Sequence, residues 1–326
     1  MREGARDRRG MALLTVLLLV AVMAALCVVL LDDVRFSVRR TTNAESQAQA
    51  QAYAAGAEAL ARRRLSDLVR ADPARTPLQP QWNGRVFALE DGEGRAVIRD
   101  GQACFNLNSL VLGQGEDLIA RPEGAAQFIA LGAALGVPHG RMATVAAALT
   151  DWMDGDDEVS AQGAEDAAYA SRPTPYRTGG VMLAEVSELR AVAGVDDDLY
   201  RRLRPYLCAL PEARLSPLNV NTLEPQDAVL LVAISRGVVG LNAAKAAIAA
   251  RPAAGWTSPD AFWAQPALSG VVVDEEAKGQ ITLATRYFDL RVEIEHGDAR
   301  AVRTALIHVA PDGAARTVIR RWTPEE

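Results

Sequence analysis

Seven carboxylates stand within sixteen residues, at Asp151, Asp154, Asp156, Asp157, Glu158, Glu165 and Asp166, and no Lys or Arg lies among them. Like charges this close repel. A folded chain keeps them when water solvates them or when a hard cation neutralises them. Ca²⁺ takes about six to eight oxygen ligands, which such a loop can supply. Counting from Asp154, EF-hand positions 1, 3, 5 and 12 fall on Asp154, Asp156, Glu158 and Glu165, but the Gly required at position 6 is Val159. The segment is therefore not an EF-hand. A solvated acidic loop is the plain alternative to a metal site.

Other chemistry finds little footing. The three histidines, His139, His296 and His308, fall in no paired metal spacing, and the chain has no H-E-x-x-H, G-x-S-x-G or P-loop motif. Two acids could form a glycosidase dyad, yet catalytic carboxylates seldom share a loop with five more. A Ca²⁺-dependent hydrolase built on this loop would lack a nucleophile or base. The stretch LNVNTLEPQDAVLLVAIS, followed by AAKAAIAARPAAGWTSPDAFW, is similar to a helix-hairpin-helix module. Its hairpin reads SRGVVGLN, without the Gly-hydrophobe-Gly of phosphate-binding versions, and Arg236 and Lys245 are its only basic residues up to Ala250. A phosphate-tracking surface needs more Lys and Arg than this. The chain's net charge of −6 also argues against a nucleic-acid partner. Of three cysteines, Cys27 lies in an apolar run, leaving Cys104 and Cys208 as either two buried thiols or one disulfide.

These residues need elements to position them. Met11–Leu31 is 21 residues without a charge; as a helix it spans about 31 Å, close to a bilayer core of about 30 Å. It is too long for the apolar region of a cleaved signal peptide, and no Ala-x-Ala falls between Ala21 and Cys27. Leu26 before Cys27 disfavours a lipoprotein site, and a simple signal anchor stays open. Arg2, Arg6, Arg8 and Arg9 precede the run and place the N-terminus in the cytoplasm. From Val34 to Arg70 the chain is polar, Ala-rich and free of Pro, so the helix continues as one rod. Ala44, Ala48, Ala52, Ala55 and Ala59 form a narrow apolar stripe along it. A linker with three Pro covers 72–81.

Strand patterns then open at Val86 and Phe87, turn at Asp91-Gly92 and Gly94, resume at Ala96–Ile98, and give a third short strand at Cys104–Leu107. From Leu110 to about Leu283 helical patterns take over, in AAQFIALGAALG, RMATVAAALTDWMD, LAEVSELRAVAG, DDLYRRLRPYLCAL, PQDAVLLVAIS, NAAKAAIAAR and SPDAFWAQ. Ser187, Thr222 and Ser258 are the expected caps, with Pro259 well placed after Ser258. Alternation returns at Phe288, Leu290, Val292 and Ile294, and again through AVRTALIHVA and ARTVIRRW around an Asp312-Gly313 turn. The expected architecture is α+β. One antiparallel sheet comes from residues 82–107 and 284–322, with an all-helical unit, 108–283, inserted between its halves. That unit divides into two SAM-like or helix-hairpin-helix-like parts, at about 108–215 and 216–283.

The junction RRG|MALLT, a short basic leader ending in Gly before an uncharged apolar helix, resembles the signal of type IV pilins and type II secretion pseudopilins. Prepilin peptidase cuts these after the Gly, here between Gly10 and Met11, removing leader 1–10. Most of that family carries Glu at the fifth mature position, where this chain has Thr15. The strand ending CFNLNSL, the acidic segment with PYR after it, SELRAVAG, YLCALP, LNVNT and the final TRYF strand follow in register. Together these motifs resemble the minor pseudopilin K family of the type II secretion system along nearly the whole chain.

The resemblance implies a pilin-like fold, with transmembrane helix 11–31 continued through 32–71, a small sheet and a large helical insertion. It implies an inner-membrane, single-pass protein with its body in the periplasm of a diderm bacterium. It implies assembly with minor pseudopilins I and J at the pseudopilus tip, and no enzymatic activity. It also implies Ca²⁺ in the inserted unit, for which Asp151, Asp154, Asp156, Glu165 and Asp166 are the candidate ligands. In the family the Glu of one subunit is held to pair with the N-terminal amine of the next. A tip subunit has no neighbour above it, so Thr15 suits that place. The rival readings are a membrane-anchored periplasmic DNA-uptake protein using the helix-hairpin-helix-like region, and the Ca²⁺-dependent hydrolase.

Overall fold

The computed structural model describes residues 4–77, 84–115 and 117–322, with side chains from Met11 onward. Leader residues 1–3, the end of the 72–81 linker and Trp82 lie outside the described residues. Helix α1 runs unbroken from Gly4–Ala71 over 68 residues. Residues 11–45 are exposed on every side, and from there on one face is buried. That face is Ala50, Ala54, Glu58, Ala61, Leu65, Ser66 and Val69. The expected stripe is thus displaced. Ala44, Ala48, Ala52 and Ala59 are exposed, and Ala55 is half-buried. Alanines occur on several faces of this helix, so their spacing selects none; the larger Leu65 and Val69 and the charged Glu58 select the face. α1 stops where Asp72 Oδ1 accepts from the Ala74 and Arg75 N–H groups, both at 3.1 Å, with Pro73 between.

Strands β1 (Arg85–Leu89) and β2 (Gly92–Asp100) form a hairpin. Gly94 is a strand residue rather than part of the turn; a Cβ there would lie 2.2 Å from the Phe87 ring. The chain then leaves the sheet. β3 (Phe105–Asn106) pairs in parallel with β6 (Leu207–Cys208), inside the insertion, instead of extending the meander. A hairpin of β4 (Val111–Gln114) and β5 (Asp117–Ala120) occupies a stretch expected to be helical. Then come α2 (Pro122–Ala134), α3 (His139–Met153), α4 (Asp166–Ala170) and α5 (Asp197–Leu203). LAEVSELRAVAG forms only a 3₁₀ turn at Val186–Ala191, capped by Glu185 reciprocally with Glu188 rather than by Ser187. The helix in DDLYRRLRPYLCAL ends at Leu203, ahead of Pro205, and its tail extends to pair as β6.

The rest of the insertion is β7 (Leu218–Asn219), α6 (Ala228–Ile234), α7 (Leu241–Ala249), α8 (Pro259–Trp263), α9 (Glu275–Gly279) and β8 (Ile281–Thr282), with β7 and β8 parallel. Ser258 caps α8 by accepting from Ala261 N–H, as expected. Thr222 does not cap; Glu224 does, for the 3₁₀ turn ahead of α6. One apolar core, including Phe128, Leu149, Leu230 and Ile248, runs through the whole insertion. The chain returns to the sheet as β9 (Tyr287–His296), β10 (Ala299–Val309) and β11 (Ala315–Arg321). The five strands are antiparallel in the order β1-β2-β9-β10-β11. Phe288, Leu290, Val292 and Ile294 alternate inward and pack with Ala54, Leu65 and Val69 of α1.

Sheet and insertion meet at a buried polar knot. Asp100 Oδ2 accepts from Thr222 Oγ1 at 2.5 Å and Thr285 Oγ1 at 2.7 Å, and its Oδ1 from Gln102 N–H at 2.8 Å. Asn219 donates to Thr76 O at 2.9 Å and Thr285 Oγ1 at 3.0 Å. The LNVNT motif is thus a joint between the two layers.

Candidate functional site

α3 carries the first acids of the loop on its last turn. Its last turn is buried on every side, from Ala148 to Met153, so Asp151 goes in with Leu149 and Met153. The helix ends at Asp154, whose N–H bonds back to Thr150 O at 2.9 Å. β5 ties the next residue, through Gly155 N–H to Leu118 O at 2.9 Å, and Gly179 and Gly180 N–H both donate to Trp152 O at 3.1 Å. Behind the loop, Trp152 meets the edges of Tyr169 and Tyr176, and the Arg172 guanidinium lies 4.8 and 5.2 Å from those two rings. Arg172 and Tyr176 both lie within SRPTPYR, but only Tyr176 belongs to the PYR motif; the Arg of that motif is Arg177.

The fold buries three of the seven acids together: Asp151 is 1% exposed, Glu165 4% and Asp154 7%. Ser160 N–H donates to Asp151 Oδ2 at 3.2 Å, and Gly163 approaches so closely that a Cβ would lie 1.9 Å from that oxygen. Asp151 Oδ1, Asp154 Oδ1 and both carboxylate oxygens of Glu165 are buried without a hydrogen-bond donor among the described residues. Burial, with Asp156 and Asp151 nearby, pushes the Asp154 carboxyl up to about 6. Burial, with Asp151 and Asp154 nearby, pushes Glu165 up to about 7. Asp166 is used differently. It accepts from Thr178 N–H at 2.9 Å and Thr178 Oγ1 at 3.0 Å, with Arg177 at 3.7 Å, and these hold its carboxyl below the ordinary range. Asp156, Asp157 and Glu158 are exposed, and Asp156 Oδ1 accepts from Glu158 N–H at 2.8 Å.

Among the described residues, no three His, Cys, Asp or Glu side chains are gathered tightly enough to grip an ion as they stand. The donor set nevertheless fits a hard cation. Four buried carboxylate oxygens without donors are costly, and a divalent ion ligated by oxygen would satisfy them. Asp151, Asp154 and Glu165 would hold it, with Asp156 at the rim.

Cys104 and Cys208 are joined in a disulfide, with Cα atoms 5.7 Å apart, beside the β3–β6 pairing. His296 packs edge-on to Tyr53 and His308 lies against Tyr287. In the helix-hairpin-helix-like region, Arg236 is paired with Glu123 at 2.9 Å and with Asp274. Asn219, Asn221 and Thr222 spend their side chains on internal bonds.

An exposed apolar helix of membrane length that continues as the spine of an antiparallel sheet, with a helical unit spliced between β2 and β9, defines a pilin-like protein. Residues 103–212 and 218–284 match two family models, each described as Type II secretion system (T2SS), protein K. The chain is 38% identical to type II secretion system protein K of Klebsiella pneumoniae, over 98% of this chain and 99% of that one. It is 36% identical to the protein K of Pectobacterium carotovorum subsp. carotovorum, over 93% of each. A solved chain from the GspK-GspI-GspJ complex of the enterotoxigenic Escherichia coli type 2 secretion system matches at a TM-score of 0.77 and 34% identity, covering 88% of this chain and all of that one. The chain belongs to the type II secretion system protein K family, the minor pseudopilins K.

Proposed function

We propose that this chain is the minor pseudopilin at the tip of the type II secretion pseudopilus, where it starts or caps assembly with minor pseudopilins I and J for protein export across the outer membrane. The observation that carries the reading is the division of α1: residues 11–45 are exposed all round, while from Ala50 to Val69 one face is buried on the sheet. Such a helix serves first as an inner-membrane anchor and then as a packing element among sister helices. The leader arginines favour a cytoplasmic N-terminus and a periplasmic body. Prepilin peptidase cleaves between Gly10 and Met11.

Thr15 supports the tip position. Its hydroxyl donates to Ala12 O at 2.9 Å, so the helix satisfies it internally and presents no charge to a neighbour. The insertion of residues 101–286 adds bulk that a subunit buried in the filament could not accommodate. The role is structural rather than enzymatic, with no nucleic-acid partner. A structural Ca²⁺ held by Asp151, Asp154 and Glu165 steadies the insertion; of the other candidates, Asp156 lies at its margin and Asp166 is engaged by Thr178. The test is co-expression of the full chain with pseudopilins I and J of its own system, followed by purification in detergent. A stoichiometric ternary complex is expected. A chain that leaves both partners behind contradicts the reading.

A further inference from the structure

α1 covers only part of its sheet. It packs on β9, β10 and β11. Five strands about 4.8 Å apart make a face about 19 Å wide, whereas one helix is about 10 Å across. The β1–β2 half therefore remains beside α1 as an open groove of about 590 Å³. Its floor is apolar, from Phe87 and Leu89 of β1 and Ala96 and Ile98 of β2, and Leu60 forms part of its wall. Leu60 is 54% exposed. Uncovered apolar surface of this kind marks an interaction site.

Charge narrows the occupant. Arg64 and Arg85 both line the groove, and among the described residues neither has a carboxylate partner. Arg63 and Arg70, which do not line the groove, both pair with Asp67. We infer that the groove seats an amphipathic helix of another subunit of the filament, its apolar stripe on Phe87, Ile98 and Leu60 and its flanking Asp or Glu side chains on Arg64 and Arg85. The width left over suits a helix laid about 8–10 Å from α1, which would complete the layer over the sheet. This rests on the filament-subunit role proposed above.

The experiment places a photo-crosslinking amino acid at position 60 or 89 of the full chain, co-expressed with pseudopilins I and J of the same system. Crosslinks from both positions to one helical segment of I or J are expected. Arg64→Glu with Arg85→Glu should cut co-purified partner about tenfold, while Arg201→Glu with Arg202→Glu, on α5, leaves it unchanged. Two outcomes overturn the groove assignment while leaving the filament role intact. One is a complex that resists the groove reversals or falls equally with the α5 reversals. The other is a complex whose crosslinks from 60 and 89 reach only residues 78–83 of the same chain, a second copy, or nothing. If the unsubstituted chain forms no complex with I or J, the filament role fails and the groove assignment fails with it.

Discussion

Glu58 carries a charge into the seam between α1 and the sheet, at 2% exposure. Arg303 Nε donates to its Oε2 at 2.5 Å, Arg320 donates at 2.7 and 3.0 Å, and Thr317 Oγ1 at 2.6 Å. Burial alone would raise this carboxyl, but the bonds from Arg320, Thr317 and Arg303 outweigh it and hold it at about 2. Because the folded value lies below the ordinary 4.5, its contribution is complete above about pH 4.5 and is lost as pH falls toward 2. A shift of that size is worth about 3 kcal/mol. Glu58→Ala should cost about 3–5 kcal/mol at pH 7, because it strands Arg303, and it should flatten the acid limb of a pH series of urea melts. An unchanged acid limb would mean the clamp does not couple to folding. None of this was legible in the sequence, since the partners lie 245 and 262 positions away and an Ala-rich helix hides which face is buried.

The acids of the α3 loop were legible as a cluster, but not as a division of labour. Spacing could not tell that Asp151, Asp154 and Glu165 go inward while Asp166 turns to Thr178. Saturation with Ca²⁺ at about 100 times its dissociation constant should add about 2.7 kcal/mol, read as a rise of about 5–10 °C in Tm for a unit of this size. Asp151→Asn with Glu165→Gln should abolish that rise, and a chelator should reverse it in the native chain. A melt indifferent to Ca²⁺ and chelator would contradict the metal site.

At the scale of elements, strands whose partners are close in sequence or alternate strongly were readable, as in β9, where Phe288 to Ile294 point inward at every second residue. Elements defined by distant contacts were not. β3 and β6 are two residues each, pair across about a hundred positions and lie beside a disulfide. Local propensity could only assign CFNL to the nearest meander and YLCAL to the nearest helix. The Cys104–Cys208 loop has a sequence separation of 104, and loop entropy puts its contribution near 4.7 kcal/mol. Cys208→Ser should lower stability by about 2–5 kcal/mol in denaturant titrations, more than Cys27→Ser, whose thiol is exposed and unpaired. The Asp100 knot acts at the same scale. Asp100→Ala leaves Thr222 and Thr285 without their shared acceptor, and hydrogen exchange should rise in 217–223 and 284–287 while the α2–α3 core stays protected. Uniform exchange across both regions would deny the knot a role as the joint.

For the whole molecule, the order of layers followed from hydropathy: one charge-free run, an Ala-rich continuation, strands, a long helical middle, strands again. Length and polarity set that order more than any contact does, so it holds even where individual elements differ from their local patterns. What patterning could not supply is how far α1 covers the sheet, because that depends on the width of a five-stranded face against the width of one helix. The central claim is that Met11–Leu31 is both a membrane anchor and, after processing, a filament helix. The intact mass of the chain, expressed with and without prepilin peptidase, tests it most directly. The account predicts a peptidase-dependent loss of residues 1–10, giving a mature N-terminus at Met11. A chain that keeps its leader in the presence of the peptidase, or begins at any other residue, would contradict it.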